Sequence, residues 1–497
     1  MKITKKTSSF LVALLFFSSC VELEQVNPNT ASESSFWLTE NDLFQGVIAT
    51  YDAMQLSGLY LGNLQVILTG FSDEGTGEST NEFYAPFRFK IFNSNIFLSE
   101  MMWIHFYAMI SRGYQVIDKA ETISGDNVPA ILAEAKTLVA FAYYNMINVY
   151  GENIAYVEST QQASDIPNRA EDGQIYTLIE NLLTEAIPDL PLSGDYNDSD
   201  YGRISKGAAQ AILAKVYLHQ QKYDMAEPVL ESIVNSSEYQ LMPSYEDNFT
   251  EKNIINPEAV FHINFLHDGP AFESNRSVRH QGFSPREKKG TYGDVQPTKF
   301  IHESFLIESD KDGNPDPRLD VTLFHPNSTE NFIGEPYSWW ETQFRNPEIN
   351  TAYFKYSEQE FIGDVATEFD GGTDFIIIRY ADVLLLYAEV LNQNNKTQEA
   401  YQYVDMVRER SNMLPLSVAK PGLDKDSFLE QIKHERVVEL SGEVVRFFDL
   451  KRWGMYNSEN VVRDPNFESF VEGRSEVQPI PQSELDLNPN LIQNPGY

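Results

Sequence analysis

Cysteine is almost absent from this chain: 497 residues carry one, Cys20. A single thiol excludes an internal disulfide and any zinc site built from several cysteines. Histidine is scarce, with eight scattered residues. The run HERVVE at His434 lacks the second histidine of a zinc-protease helix. Positive charge is also short, 37 Lys and Arg against 73 Asp and Glu, for a formal net charge of −36. Nucleic acids and anionic lipid surfaces both call for basic footprints, so neither is an expected partner. Past the N-terminus no apolar run is long enough to cross a bilayer; the best, YADVLLLYAEVL, is interrupted by charge. There is no glycine loop for phosphate, and nothing singles out two carboxylates as a glycosidase pair. DKDGNPDPRLD superficially resembles a calcium loop, but Pro315 stands where an EF-hand needs Gly and Val321 where Glu would close it. It reads as a turn, with an isolated structural Ca²⁺ left open and no cofactor expected.

What is present begins with MKITKKTSSFLVALLFFSSCVELEQVNPNT. Lys2, Lys5 and Lys6 precede an apolar stretch from Phe10 to Phe17, then Ser18, Ser19 and the lone cysteine. This is the build of a secretory signal. Because it ends directly on Cys20, it resembles a bacterial lipoprotein signal, with Phe17 where Leu is commonest. That implies removal of residues 1–19 and lipidation of Cys20. At ~0.8 kcal/mol per buried acyl CH₂, several chains anchor a protein essentially permanently. Residues 20–34 are polar and turn-rich and read as a tether, with Glu22 and Glu24 directly after the anchor.

The rest is rich in aromatics, with 26 Tyr and 32 Phe, and long enough for one large or two ordinary domains. From 35 to 240 helical periodicity dominates. MMWIHFYAMISRGYQVIDKAETI, for example, puts Trp103, Phe106, Ile110 and Tyr114 near one face. A repeat then appears. GAAQAILAKVYLHQQKYDMAEPVLESI places Ala214, Tyr217, Ala226 and Leu230 at tetratricopeptide spacing, and RYADVLLLYAEVLNQNNKTQEAYQYVDMVRERS places Ala388, Leu391, Ala400 and Val404 at the same intervals. Small residues there let two helices close on each other. The C-terminal region, 241–497, contains a loop-rich insert at 241–370, where only EAVFHINFLHDG reads as a strand. The expected class is mainly α, with tetratricopeptide-like helix pairs and long irregular ligand-facing loops.

Four stretches together resemble the SusD/RagB family: SESSFWLTENDLFQGVIATYDAM, RYADVLLLYAEVLNQ, ERVVELSGEVVRFFDLKRWG and the terminal PIPQSELDLNPNLIQNPGY. They span almost the whole chain beyond the leader, in the family's order; Val444 departs, standing where the family usually has Gly. The resemblance implies a SusD-like α-helical fold and a lipoprotein on the surface of the outer membrane. Such a protein binds oligosaccharide or polysaccharide without cleaving it and serves a SusC-like TonB-dependent transporter. A peptide-binding lid of the same transporter class and a surface glycoside hydrolase are the alternatives. Arg379, Glu435, Arg436, Arg446 and Asp449 lie in these blocks, where buried charge demands partners, so internal ion pairs are expected of them. Trp37 and Trp453 are expected to pack in the core.

The family motifs carry no ligand residues, so candidates come from chemistry. Sugars present CH faces to aromatic rings and hydroxyls to polar side chains. Three irregular loops offer both. The first contains Phe83, Tyr84, Phe87 and Arg88. The second contains Phe283 and Tyr292, with Arg276, Arg279 and Arg286 as a possible site for an acidic sugar. The third, EPYSWWETQF, contains Tyr337, Trp339 and Trp340.

Overall fold

A computed structural model of the chain describes residues 36–497 except 77–82, 163, 251–252, 254, 266–292, 333–334, 343–349, 356–372 and 463. Cys20, Arg276, Arg279, Phe283, Arg286 and Tyr292 lie outside the described residues.

Helix α1 (Glu40–Met54) starts at Thr39, whose side chain accepts from the Asp42 amide while Asp42 accepts from the Thr39 amide at 2.7 Å. After α2 (Asn63–Phe71) come the long α3 (Phe97–Ala120) and α4 (Val128–Tyr150), then α5 (Gln174–Ala186). Trp103, Phe106, Ile110 and Tyr114 are all buried on α3, as their spacing predicts. The first repeat forms α6 (Lys206–His219), capped by Ser205, and α7 (Tyr223–Asn235). The second forms α8 (Tyr380–Gln393) and α9 (Thr397–Arg410). Then come α10 (Lys425–Leu440), capped by Asp424, and α11 (Val445–Arg452).

Each long helix packs on the next: α1 on α3, α3 on α4, α4 on α5, α5 on α6, α6 on α7. The array then skips the insert, because α7 packs directly on α8, which holds α9 and α10. The two repeat copies are therefore neighbours in space despite the chain between them. The four spacing alanines are wholly buried, which lets each helix pair approach closely.

Strands are few and short. Among the described residues they form three antiparallel ladders: β1 (Gly75–Thr76) with β3 (Gln296–Pro297), β2 (Ala259–Ile263) with β6 (Phe375–Arg379), and β4 (Leu323–Phe324) with β5 (Ala352–Tyr353). The expected strand in EAVFHINFLHDG is β2.

The expected ion pairs are present, and they organise the interior. Arg379 reaches Glu258, Glu439 and Glu443 at 2.6–2.7 Å. Arg318 reaches Asp316, Glu435 and Glu439; Arg408 bridges Glu308 and Glu435; Lys355 pairs with Glu443. A second set joins Arg436 to Asp382 and Asp449, and Arg452 to Asp449 and Glu389. The Trp453 indole donates to Glu389. Burial pulls the Arg379 guanidinium down, but the surrounding carboxylates outweigh it and hold its pKa well above the ordinary value.

Val444, the departure from the family pattern, precedes α11 with φ +70°. A β-branched residue rarely adopts that left-handed conformation, which glycine adopts without penalty. The backbone turn is kept although the side chain is wrong for it.

Candidate functional site

Two of the three aromatic loops converge on one small framework. The first leaves the end of α2 and passes through a single helical turn, Ala85–Arg88. Lys90 ties it down. Buried, with φ +55°, its ammonium donates to the carbonyls of Gly70, Ser72 and Arg88 at 3.1 Å each and lies 4.3 Å above the Phe467 ring. Burial pushes its pKa down to about 8. Phe87 is completely buried against Phe71 and Phe92. Tyr84 is half-buried and donates to Asn63 at 2.7 Å; burial and the nearby Asp294 charge raise its phenol pKa. Arg88 lies 3.9 Å over the Phe89 ring. Phe83 is 64% exposed.

The β4–β5 ladder separates this loop from the third. One cross-strand pair, Leu323 and Tyr353, packs in the cluster that Tyr84 covers. The next pair, Phe324 and Ala352, packs in a separate cluster with Phe332, Tyr337 and Trp340. Successive strand residues point to opposite faces, so one ladder serves two aromatic beds. Tyr353 then donates to the Glu74 carbonyl at 3.0 Å, joining β5 to β1. Thr298, beyond β3, donates from its amide to Glu74 and from its hydroxyl to the Asp73 carbonyl.

The framework is pinned by charge. Arg446 on α11 makes a two-pronged pair with Asp73 at 2.7 and 2.8 Å. Beside it Glu74 is buried; one carboxyl oxygen accepts weakly from the Gly442 amide at 3.3 Å, and the other has no partner. Burial lifts its pKa to about 8, so this carboxyl is neutral at pH 7. Asp316, from the calcium-like run, is bound to Arg318, and Asp310 accepts from the amides of Asp312 and Asn314. Among the described residues no group of His, Cys, Asp or Glu is placed to hold a metal ion.

The adjacent tryptophans have different surroundings. Trp340 is fully enclosed, and its indole donates to the Phe332 carbonyl at 2.9 Å. Tyr337 is also buried and donates to Asn350 at 2.6 Å. Trp339 is partly exposed, set edge-on to Trp340 with ring centres 4.8 Å apart. Phe83, Tyr84 and Trp339 therefore keep ring surface toward solvent, while Phe87, Tyr337 and Trp340 support them. Rings and a guanidinium on anchored loops suit stacking and hydroxyl contacts. The contributions of Asn63, Asp73 and Tyr353 were not readable from sequence, since each is distant in the chain from what it positions; that of Lys90 was not, because nothing local shows that its ammonium is buried among carbonyls.

Comparison with known proteins agrees with this architecture. The model described as SusD family matches residues 257–497, and one described as starch-binding associating with outer membrane matches 76–218. Two SusD-like proteins of Formosa agariphila are 25% and 27% identical, each over 98% of this chain and nearly all of their own length. A SusD superfamily structure from Bacteroides vulgatus superposes with TM-score 0.81 at 22% identity, over 93% of this chain and all of the other. A laminarin-binding SusD-like protein superposes with TM-score 0.77 at 24% identity, over 93% of this chain and all of its own. With the expected helix array, the terminal blocks and both family models in agreement, the chain belongs to the SusD/RagB family.

Proposed function

We propose that this protein is a glycan-binding lipoprotein of the outer-membrane surface, held by lipidated Cys20, that captures oligosaccharide on its loop face and passes it uncleaved to a SusC-like TonB-dependent transporter. The observation that carries the reading is the pair of aromatic loops set on one charge-pinned framework, one presenting Phe83 and Tyr84 with Arg88 and the other presenting Trp339. The family models and the laminarin-binding structural neighbour support it. In the same reading the arginines at 276, 279 and 286 take acidic sugars.

Binding to a panel of neutral and acidic polysaccharides, followed by affinity electrophoresis, tests it. The Phe83→Ala/Trp339→Ala double variant is expected to bind at least tenfold more weakly with an unchanged melting temperature; a loss of about 1.4 kcal/mol suffices for each tenfold. Replacing Arg276, Arg279 and Arg286 with Ala is expected to abolish binding of acidic glycans only. No new reducing ends are expected; their release would make the protein a hydrolase, and binding of peptides instead would make it a peptide lid. Cys20→Ala is expected to leave the membrane fraction, and continued sedimentation with membranes would remove the lipid anchor from the reading.

A further inference from the structure

A second cleft, of about 460 Å³, shares no lining residue with the aromatic loops. That volume falls within the range of small-molecule sites. Three separated stretches wall it: the turns before α6, the chain just after α7, and the approach to β2 together with β2 itself.

Its rings are fixed by their polar ends. The Tyr196 hydroxyl donates to the Ile204 carbonyl at 2.7 Å, the Tyr201 hydroxyl accepts from the Asn256 amide at 2.8 Å, and the Tyr239 hydroxyl pairs with Ser205 at 2.8 Å. Rings immobilised this way offer apolar surface at little further entropic cost on binding. The charge of the walls is mixed. Arg203 is committed to Glu134 and Asp200 and lies 5.1 Å from the Tyr196 ring centre. Asp198 and Glu238 also line the cleft. The carboxylates oppose an anion and Arg203 opposes a cation, which leaves a neutral polar ligand.

His262 is the residue that the fold itself does not explain. It is 94% buried in the cleft wall, with its ring centre 4.3 Å from that of Tyr201. Nε2 has no hydrogen-bond partner, and the neighbouring Asn264 amide donates to the Tyr201 carbonyl at 2.6 Å. Buried polar atoms are nearly always paired, and an unpaired one is costly. Burial pushes the His262 pKa down to about 4, so the ring is neutral in ordinary conditions and can pair with a neutral hydroxyl.

We infer that this cleft is a second carbohydrate subsite, for a neutral sugar unit that places a hydroxyl on His262 Nε2 and an apolar face against the tyrosine wall. The inference rests on the glycan-binding reading above for its ligand class, but on none of the same residues.

Saturation-transfer NMR tests it on the whole protein with cellobiose, laminaribiose, maltose, xylobiose, mannobiose and digalacturonate. The proteins compared are wild type, the loop variant Phe83→Ala/Trp339→Ala, and the loop variant with either His262→Ala or Asn197→Trp added; Asn197→Trp plugs the cleft from an exposed position and so does not depend on refolding the core. At least one neutral disaccharide is expected to receive saturation from wild type. The signal that remains in the loop variant should fall at least fivefold when His262→Ala or Asn197→Trp is added to it, with digalacturonate silent in the cleft. If the loop variant gives no response to any neutral disaccharide, or if its response survives both added cleft substitutions, the subsite is refuted. A wild-type response abolished by the loop substitutions alone refutes the cleft and leaves the loop reading standing. A remaining response abolished by the cleft substitutions supports the cleft, while the loop reading is judged separately on the polysaccharide binding of the loop variant.

Discussion

The two tetratricopeptide-like helix pairs share a spacing and a set of buried alanines, yet they are held together differently. The buried positions of α6 and α7 carry no charge: they are Ala, Ile, Leu, Val, Tyr and Gly. The buried positions of α8 and α9 include Asp382, Glu389 and Arg408, and Arg379 immediately precedes α8. The first pair has an apolar interior and gives one ion pair to its neighbour, from Lys215 on α6 to Asp382 on α8 at 2.6 Å. The second is a junction: Arg379 holds Glu258 and Arg408 holds Glu308, both from the 241–370 stretch, while Arg318 and Lys355 of that stretch reach Glu439 on α10 and Glu443 just after it. One framework therefore does two jobs, packing in one copy and locating irregular chain in the other. Buried ion pairs add little net stability but make their own disruption expensive, which suits a part that must fix geometry.

The sharpest way to break this contrast is to remove the central cation. Arg379→Met leaves Glu258, Glu439 and Glu443 with fewer cations in a dry interior. It is expected to cost roughly 3–5 kcal/mol, the usual penalty for breaking a buried pair. Ala214→Leu, which overpacks the apolar pair, is expected to cost about 1–3 kcal/mol. Urea unfolding of both variants provides the check. A milder effect from Arg379→Met than from Ala214→Leu would dissolve the distinction.

Acid should separate the two pairs without mutation. Glu308 is held at about 2: burial would raise it, but hydrogen bonding from Lys420 and the Arg408 charge outweigh burial. Asp382 and Glu439 are likewise held below their ordinary values, against burial, by the cations facing them. Groups depressed on folding contribute their full stability above their unfolded values, near pH 4.5, and lose it as pH falls toward about 2. Hydrogen-exchange protection in α8, α9 and α10 should therefore collapse over that window before protection in α5 and the outer face of α6. Simultaneous loss throughout would mean that the array unfolds as one unit.

Glu74 tests the reverse sign beneath the aromatic loops. Its raised folded pKa of about 8 favours the protonated fold, so its contribution is fully present below about 4.5 and is lost as pH climbs through 8. Glu74→Gln should match wild type near pH 5 and exceed it by ~1–3 kcal/mol at pH 9, the scale of an unpaired buried polar group. Equal stabilities at pH 9 would mean that the carboxylate finds a partner on ionising.

How much of this was readable from sequence follows from the distance between partners. The alanines at 214, 226, 388 and 400 lie on a short-range period, so the helix pairs were legible. The need of Arg379, Glu435, Arg436, Arg446 and Asp449 for partners was legible too, but the partners were not. Asp73 and Glu258 are far off in the chain, and Asp316 sits in a run that looks like a cation loop. Trp339 and Trp340 look alike in a polar loop, because nothing local reveals that Phe324, across a ladder, will enclose only one of them. His262 was part of a legible strand, but its cleft is assembled from three stretches that share no pattern.

Val444 gives the smallest effect and asks how far the junction of α10 and α11 tolerates a wrong local choice. Its left-handed φ of +70° costs about 1–3 kcal/mol for a residue with a branched side chain. The same side chain is buried, 6% exposed, which returns roughly 1.5–3 kcal/mol. Val444→Gly removes both terms and adds ~0.5–1 kcal/mol of unfolded-state entropy. The midpoints of these ranges leave a net loss of about 1 kcal/mol, read as a small drop in the urea midpoint. Val438→Gly, in the last turn of α10, has burial to lose and no left-handed strain to relieve, and should cost several times more. If the two cost the same, position 444 is not strained, and valine there is an ordinary core residue rather than a tolerated departure held in place by the ion pairs on either side of it.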